Sequence, residues 1–425
     1  MTPKRKRTAN NTPYPLSAAR ALALDAQGLA TPPDGAVGPD SIYNTIERIG
    51  WLQIDTLQMV RRSQYLTLWS RLGKYDPEHL DGLLSGDAES GQGRRLFEYW
   101  RHAACMIPLD DYRYSLPTQR AYREGRTGWY RGWIDEPGNR DLVQVVLEHI
   151  RDHGASRSSD FERDGVKRGS WWDWKPAKRA LEALYNQGDV MVASRVNFQR
   201  VYDLKERVLP EWVSRDEPTE EDATRWSLEK SIRRLGICDP RGVADYVKIK
   251  RTRAKPVIDE MIADGTIELV PVQQSSDATG SLAVHREDIV KLDAAADGAL
   301  EPGHVTFLNP FDNLFWARDR DEQFWGFNQI LEAYKREPDR IWGYYSLPIL
   351  FRDRLVGRFD PKLERQTGVL RVKKLHLEPG VKPEDDMVAS IAGSMRDFLA
   401  FHDASDLVIE HSNPSDFGTK LLAAM

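Results

Sequence analysis

Cysteine is nearly absent. Only Cys105 and Cys238 occur in 425 residues, each inside an apolar segment, which excludes a disulfide framework or a cysteine-based metal site and fits reduced, buried thiols. No apolar run approaches the roughly 18 to 20 residues that a membrane span needs, so no membrane partner is expected. The opening Met1-Thr2-Pro3-Lys4-Arg5-Lys6-Arg7 is basic but lacks the apolar stretch of a secretory signal, and a cytoplasmic protein is expected. Aromatics are not scarce: 13 Trp, 15 Tyr and 13 Phe supply ample packing material and argue against disorder. At 425 residues the chain exceeds one ordinary domain, and roughly two to four modules are predicted.

The net charge of -5 hides a pattern. Acids crowd positions 216–222 and 384–386, while basic residues cluster at Arg61/Arg62, Arg94/Arg95, Lys175/Lys178/Arg179 and Lys248/Lys250/Arg251/Arg253/Lys255. Local patches matter more than the sum when a protein meets a polyanion, although a single basic run is more often a solvated face.

Three stretches repeat one order of elements. Ser17 to Leu29 is rich in helix formers behind an N-cap serine, and a Pro/Gly-rich loop follows from Thr31 to Pro39. Asp40 to Ile49 reads as a second helix ending at Gly50, ahead of an extended apolar stretch. Tyr65 to Leu72 fits strand or helix. Asp141 to Asp152 is predicted helical, Ser156 to Phe161 a capped turn and helix start, and Lys175 to Gln187 a third helix stopped at Gly188. Val190 to Ser194 and Phe198 to Asp203 then read as a hairpin wing. In the third stretch, Glu220 to Leu235 is a helix, Asp239 to Gly242 a turn, Ala254 to Asp264 a helix and Thr266 to Val270 a strand. Helix, turn, helix and wing in tandem predict nucleic-acid binding better than one copy would. From about Val305 the segments Ile341 to Leu350, Arg354 to Asp360 and Gly368 to Val372 read as strands of a small sheet or barrel, with Met387 to Phe401 a helix laid on it.

The expected fold is therefore mainly α with β: three tandem winged helix-turn-helix modules and a C-terminal β-barrel-like domain. The predicted boundaries are a basic tail at 1–14, modules at 15–135, 136–215 and 216–300, and the β-rich domain at 301–425.

Within the first module, Leu52-Gln53-Ile54-Asp55-Thr56 carries the candidate chemistry. If it is extended, side chains alternate, so Gln53 and Asp55 share one face while Leu52 and Ile54 anchor the other. If it were helical, the pair would sit roughly 200° apart and could not act on one substrate atom. Most Gln-x-Asp triplets are solvated loop residues, so the triplet alone is weak.

Further landmarks change its weight: Gly50 to Asp55, Leu68-Trp69-Ser70-Arg71-Leu72-Gly73, Phe97-Glu98-Tyr99-Trp100-Arg101-His102, Gly169 to Lys175, Phe198 to Asp203, Asn309-Pro310-Phe311-Asp312-Asn313-Leu314 and Gly343-Tyr344-Tyr345. In this order they resemble the AlkZ/YcaQ-like bacterial DNA glycosylases, winged-helix DNA-binding proteins, from about Tyr14 to Pro379. The resemblance implies three winged helices in a C shape with a C-terminal β-domain, and an active-site motif of Gln, an apolar residue, then Gln or Asp. This chain has the Asp form, similar to the YcaQ-type branch, which removes N7-alkylated purines and unhooks interstrand crosslinks. An open cleft, as the C shape implies, would admit a base tethered to the opposite strand, which cannot rotate freely into a pocket.

N7 alkylation makes the purine a good leaving group, leaving the enzyme to stabilise an oxocarbenium-like sugar and deliver water to C1′. A carboxylate does both, so Asp55 is the expected catalytic group; the Gln53 amide positions water or sugar but cannot change protonation state. No lysine adjoins the motif, the nearest C-terminal one being Lys74, so a monofunctional enzyme without cofactor is expected. His149/His153 and Glu301/His304 lack the further ligands of a metal site, and no metal is expected.

Double-stranded DNA bearing alkylated or crosslinked purines is the expected partner, held by phosphates more than by bases and bound by a monomer associated with the nucleoid. Candidate DNA contacts are Arg61, Arg62, Arg195, Arg200, Lys250, Arg251 and Arg253, each of which also reads as a surface ion pair. Phe198 is a hairpin wedge or a core residue. His102 is expected to support the site through a backbone hydrogen bond, Trp171/Trp172/Trp174 to pack the second module, and Asp312 and Asn313 to shape a turn. The competing reading is a non-catalytic winged-helix regulator, which would need a dimerising element that the sequence does not display. A nuclease would need clustered acids around Asp55, and none flank it.

Overall fold

Pro15 and Gly50 bracket the first two helices in the computed structural model, which describes residues 12–86, 93–128, 131–162, 175–274 and 278–425. The first helix, Leu16–Ala26, is capped by Pro15, so Ser17 lies inside its first turn instead of at the N-cap expected from its hydroxyl. The second, Pro39–Ile49, starts at a proline that needs no N–H partner and ends at Gly50, whose φ of 84° suits a residue without Cβ. Tyr65 to Leu72 resolves as helix, within Ser63–Leu72.

The chain divides into two compact units. The first comprises residues 1–76, 101–105 and 227–425 and has a mixed α/β composition. In it, Leu16–Ala26 packs on Ile289–Ala296 and on a three-stranded sheet ordered Ile237–Cys238, Thr279–His285, Ile267–Gln273. Ala18, Leu22, Ile237, Val270, Leu282 and Leu292 form the shared core, and the main chain of Tyr14 bonds that of Pro271 and Gln273. Asp239 to Gly242 is not a free turn: the Asp239 carboxylate accepts from Arg241 N–H and caps the helix Pro240–Tyr246. Arg251–Ala263 is the following helix.

A six-stranded sheet fills the C-terminal part of this unit. Its order is Asp406–Ile409, Val369–Leu377, Arg354–Glu364, Leu347–Phe351, Val305–Phe307, with Ser412–Asn413 also on Val369–Leu377. The sheet is open, correcting the barrel-like expectation: Asp406–Ile409 joins parallel at one edge, Val305–Phe307 ends the other, and these edges do not pair among the described residues. Helix Asp385–Phe401 lies on it, Phe398 meeting Phe307, Phe359 and Trp69 edge to face. The expected strand Ile341 to Leu350 is shortened to Leu347–Phe351, because the amides before it bond carboxylates instead of a neighbouring strand.

The second unit comprises residues 77–100 and 106–226. Helices Asn139–His153 and Lys175–Gln187 pack together and carry the hairpin Val190–Val196/Gln199–Leu204. Asn197 and Phe198 form its two-residue turn, both with positive φ (50° and 68°), so Phe198 is a turn residue rather than the first of a strand. Ser156 starts no helix; its N–H and C=O both pair with Tyr202, and only a short turn at Asp160–Glu162 follows. Residues 163–174, which include Trp171, Trp172 and Trp174, and the tail 1–11 lie outside the described residues.

No helix among the described residues is long and apolar enough to cross a membrane.

Candidate active site

Gln53 and Asp55 alternate with buried apolar neighbours because the segment after Gly50 is extended. Leu52–Gln53 is a short strand against the start of Ala104–Pro108, and Ile54 N–H donates to Ala104 O at 2.8 Å. Trp51, Leu52 and Ile54 are buried while Gln53 and Asp55 are half-buried, the alternation a one-sided strand requires. Asp55 Oδ1 accepts from Leu57 N–H at 2.8 Å. Burial pushes its carboxyl above the ordinary aspartate value, and the N–H groups of Leu57 and Thr56 oppose that shift.

A buried polar network fixes this segment from behind. Asn313 Nδ2 donates to Trp51 O at 2.8 Å and Ile49 O at 3.3 Å. The Tyr246 hydroxyl donates to Ile49 O at 2.7 Å and accepts from Asn313 (3.1 Å) and Gln27 (3.2 Å). Gln27 O in turn accepts from Arg71 Nε at 2.7 Å, and Arg71 forms a doubly bonded ion pair with Asp312, at 2.7 and 2.9 Å, with both side chains buried. Asp312 and Asn313 thus do more than shape a turn, although Asp312 also accepts from Leu314 N–H. Sequence reasoning recognised both segments as landmarks but had no signal for this pairing, since their residues lie 241 positions apart.

His102 Nδ1 faces the carbonyl oxygens of Asp245 (3.2 Å) and Tyr246 (3.3 Å), which matches the expected backbone bond. Carbonyls only accept, so Nδ1 carries the proton. Burial, aided by the Lys248 charge, lowers its pKa to about 4, and the neutral ring stacks on Trp316 at 4.4 Å. Both rings line a cavity of about 510 Å³ whose lining also includes Lys248, Lys250, Arg251 and Arg318. Arg251 is paired with Asp245, while Lys248, Lys250 and Arg318 are exposed. Lys248 and Arg318 were not anticipated; the first belonged to a basic cluster, the second gave no sequence signal.

The other predicted DNA contacts are dispersed. Arg61 donates to Phe401 O at 2.9 Å and meets Asp403 at 3.2 Å, Arg62 precedes helix Ser63–Leu72, and Arg253 is exposed on Arg251–Ala263. In the second unit, Arg195 and Arg200 both bond the fully buried Glu98 carboxylate, Arg195 at 2.8 and 2.9 Å, and Arg195 lies 4.4 Å from the Phe198 ring centre. Two guanidinium groups on one carboxylate leave one net positive charge at the hairpin. Of the candidate metal pairs, His304 Nε2 bonds Ser70 O at 2.9 Å and His149 stacks on His153. No group of three or more potential metal ligands occurs among the described residues.

A carboxylate and an amide thus alternate with buried apolar neighbours on a segment tied down by a buried polar network. A model of the family described as DNA glycosylase AlkZ-like matches residues 46–401, and the chain belongs to this family of DNA glycosylases. Among solved structures it is similar to the Streptomyces sahachiroi DNA glycosylase AlkZ, with a TM-score of 0.64 over 94% of this chain and 100% of that one, at 14% sequence identity. At that identity the likeness speaks for the fold.

Proposed function

We propose that this DNA glycosylase hydrolyses the N-glycosidic bond of N7-alkylated purines in duplex DNA and unhooks interstrand crosslinks of that chemistry. The observation that carries the reading is the shared, half-buried face of Gln53 and Asp55. Asp55 opposes the positive charge growing on the sugar and orients the attacking water, taking its proton as the oxygen bonds C1′; the bond electrons leave with the purine. Gln53 holds water or sugar without exchanging a proton. The product is free base and an abasic site, and no metal or cofactor takes part.

The helices and hairpin of the second unit, and the helices and sheet around Arg251–Ala263, are read as winged-helix modules that carry DNA as a monomer in the cytoplasm, at the nucleoid. Lys248, Lys250, Arg253 and Arg318 contact phosphate, with Arg61, Arg62 and Arg251 adding further charge. The hairpin contributes the surplus charge of Arg195 and Arg200, with Phe198 at its turn. His102 supports the site through the main chain of Asp245 and Tyr246.

The test is base release from a duplex with a single N7-methylguanine, followed by alkali cleavage, in wild type, Asp55→Asn and Gln53→Ala. Chelator-resistant release that collapses in Asp55→Asn while DNA binding persists supports the reading. No release from this substrate or a mustard crosslink by protein that binds DNA sinks it.

A further inference from the structure

The segment that carries Asp55 is held from the C-terminal sheet and its helix, and one of the holding groups keeps donors open to solvent. Residues 54–62, between the strand Leu52–Gln53 and the helix Ser63–Leu72, form no regular element. Their backbone groups therefore find partners elsewhere. At the front, Asp55 Oδ1 takes Leu57 N–H at 2.8 Å. The back is tied by residues more than three hundred positions later. Leu363 N–H donates to Met59 O at 2.9 Å, Arg365 Nη2 to Val60 O at 3.0 Å, and Arg61 Nε to Phe401 O at 2.9 Å.

Two of these ties are complete as they stand: the Leu363 amide has one hydrogen, and Arg61 also meets Asp403. Arg365 differs. It follows the strand Arg354–Glu364 directly, is exposed, and donates to a carbonyl, which carries no charge. The adjacent Glu364 is held by Arg371 at 2.6 Å, and Arg365 makes no ion pair among the described residues. A guanidinium offers five N–H donors in a planar fork, so a whole charge and most of its donors remain for a ligand. Chain length limits how far this charge lies from Asp55. Five residues separate Asp55 from Val60, about 17 Å at full extension, and the bond to Arg365 adds 3.0 Å. Duplex DNA advances about 3.4 Å per base pair. A sugar at Asp55 thus puts Arg365 within about six base pairs of the lesion, inside the footprint of the bound duplex.

We propose that Arg365 is a DNA contact and a positioning residue at once: its guanidinium bridges the Val60 carbonyl and a backbone phosphate flanking the lesion, so that the grip on the strand and the segment carrying Asp55 share one rigid group. Arginine suits this because its fork presents N–H groups in fixed directions to two acceptors, whereas the lysine ammonium is a point charge on a flexible stem. The positioning half rests on the catalytic reading of Asp55; the phosphate half does not.

The experiment compares wild type, Arg365→Lys, Arg365→Gln and Asp55→Asn at a temperature where thermal melting shows each folded. Affinity for an undamaged duplex is measured against salt, and single-turnover excision of N7-methylguanine at saturating enzyme. Arg365→Gln removes the charge, so the slope of log affinity against log salt should fall by about one. Arg365→Lys keeps the charge and should keep the slope. Both lose the bridge, and both should lose about tenfold in saturating rate, a modest misplacement of the catalytic group. A wild-type slope in Arg365→Gln overturns the phosphate contact, and a wild-type rate in Arg365→Lys overturns the positioning role, since charge alone would then suffice. Asp55→Asn separates the two readings. If that variant keeps its rate, the assignment of Asp55 fails; if it is inactive while Arg365→Lys and Arg365→Gln excise at the wild-type rate, only the role of Arg365 fails.

Discussion

Asn313 donates through Nδ2 to the carbonyl oxygen of Trp51, two residues before Gln53, at 2.8 Å. The same amide reaches Ile49 O and the Tyr246 hydroxyl, so one side chain ties the end of a helix, the start of a strand and a buried phenol. Asn313→Ala should cost roughly 2 to 4 kcal/mol by thermal or urea melting, from several buried groups left unpaired. Asn313→Asp should cost more than Ala, since it turns an oxygen toward two carbonyls. Equal melting of either variant and wild type would show that the tie does not matter.

Arg71 and Asp312 should behave as a unit. Removing one partner leaves an uncompensated buried charge, so Arg71→Met or Asp312→Leu alone should lose about 3 to 5 kcal/mol. The double variant should lose clearly less than the sum of the singles, measured as a double-mutant cycle in urea. Additive losses would contradict the coupling.

The Asp55 carboxyl has a folded-state pKa above its ordinary value of 3.8. Its folded form therefore binds the proton more tightly, and it withdraws stability as pH rises from the unfolded pKa through the raised folded one. Above that window Asp55→Asn should melt higher than wild type, and the difference should shrink as pH falls through it. If excision uses the Asp55 carboxylate, as proposed, its acid limb should lie above pH 3.8. A limb at or below that value would show that another group controls it.

Lys250 is exposed and lines the same cavity as His102. Lys250→Ala should weaken DNA binding evenly across sequences and lower the slope of log affinity against log salt by about one. The excision rate on saturating DNA should be unchanged. A salt slope equal to that of wild type would remove Lys250 from the phosphate track.

The legible parts of this protein are those set by local rules. The alternation from Leu52 to Asp55 was readable because one buried face imposes a period of two, and the stop at Gly50 because a positive φ favours glycine. The helices Lys175–Gln187 and Glu220–Leu235 appear with the bounds the sequence predicts, each with a distinct breaker or acidic start. What escaped depends on distant partners. Ile341 to Ser346 is as apolar as a strand, but its amides are claimed by Glu332 and Asp360, which no nearby residue announces. Asp239 looked like a turn residue because the Asp-Pro pair that opens a turn also caps a helix. For Arg195 and Arg200 the sequence left phosphate contact and ion pair both open, because their acid, Glu98, sits about a hundred residues earlier.

The bond from Asn313 to Trp51 spans 262 residues, and this has a consequence during synthesis. A ribosome adding about 5 to 20 residues per second needs tens of seconds, in order of magnitude, to make the intervening chain. Through that interval Gln53 and Asp55 exist without the amide that ties down the residue before their strand. If Asp55 is the catalytic group, as proposed, an interrupted translation product that carries the motif but stops before Asn313 is expected to be inactive in base excision.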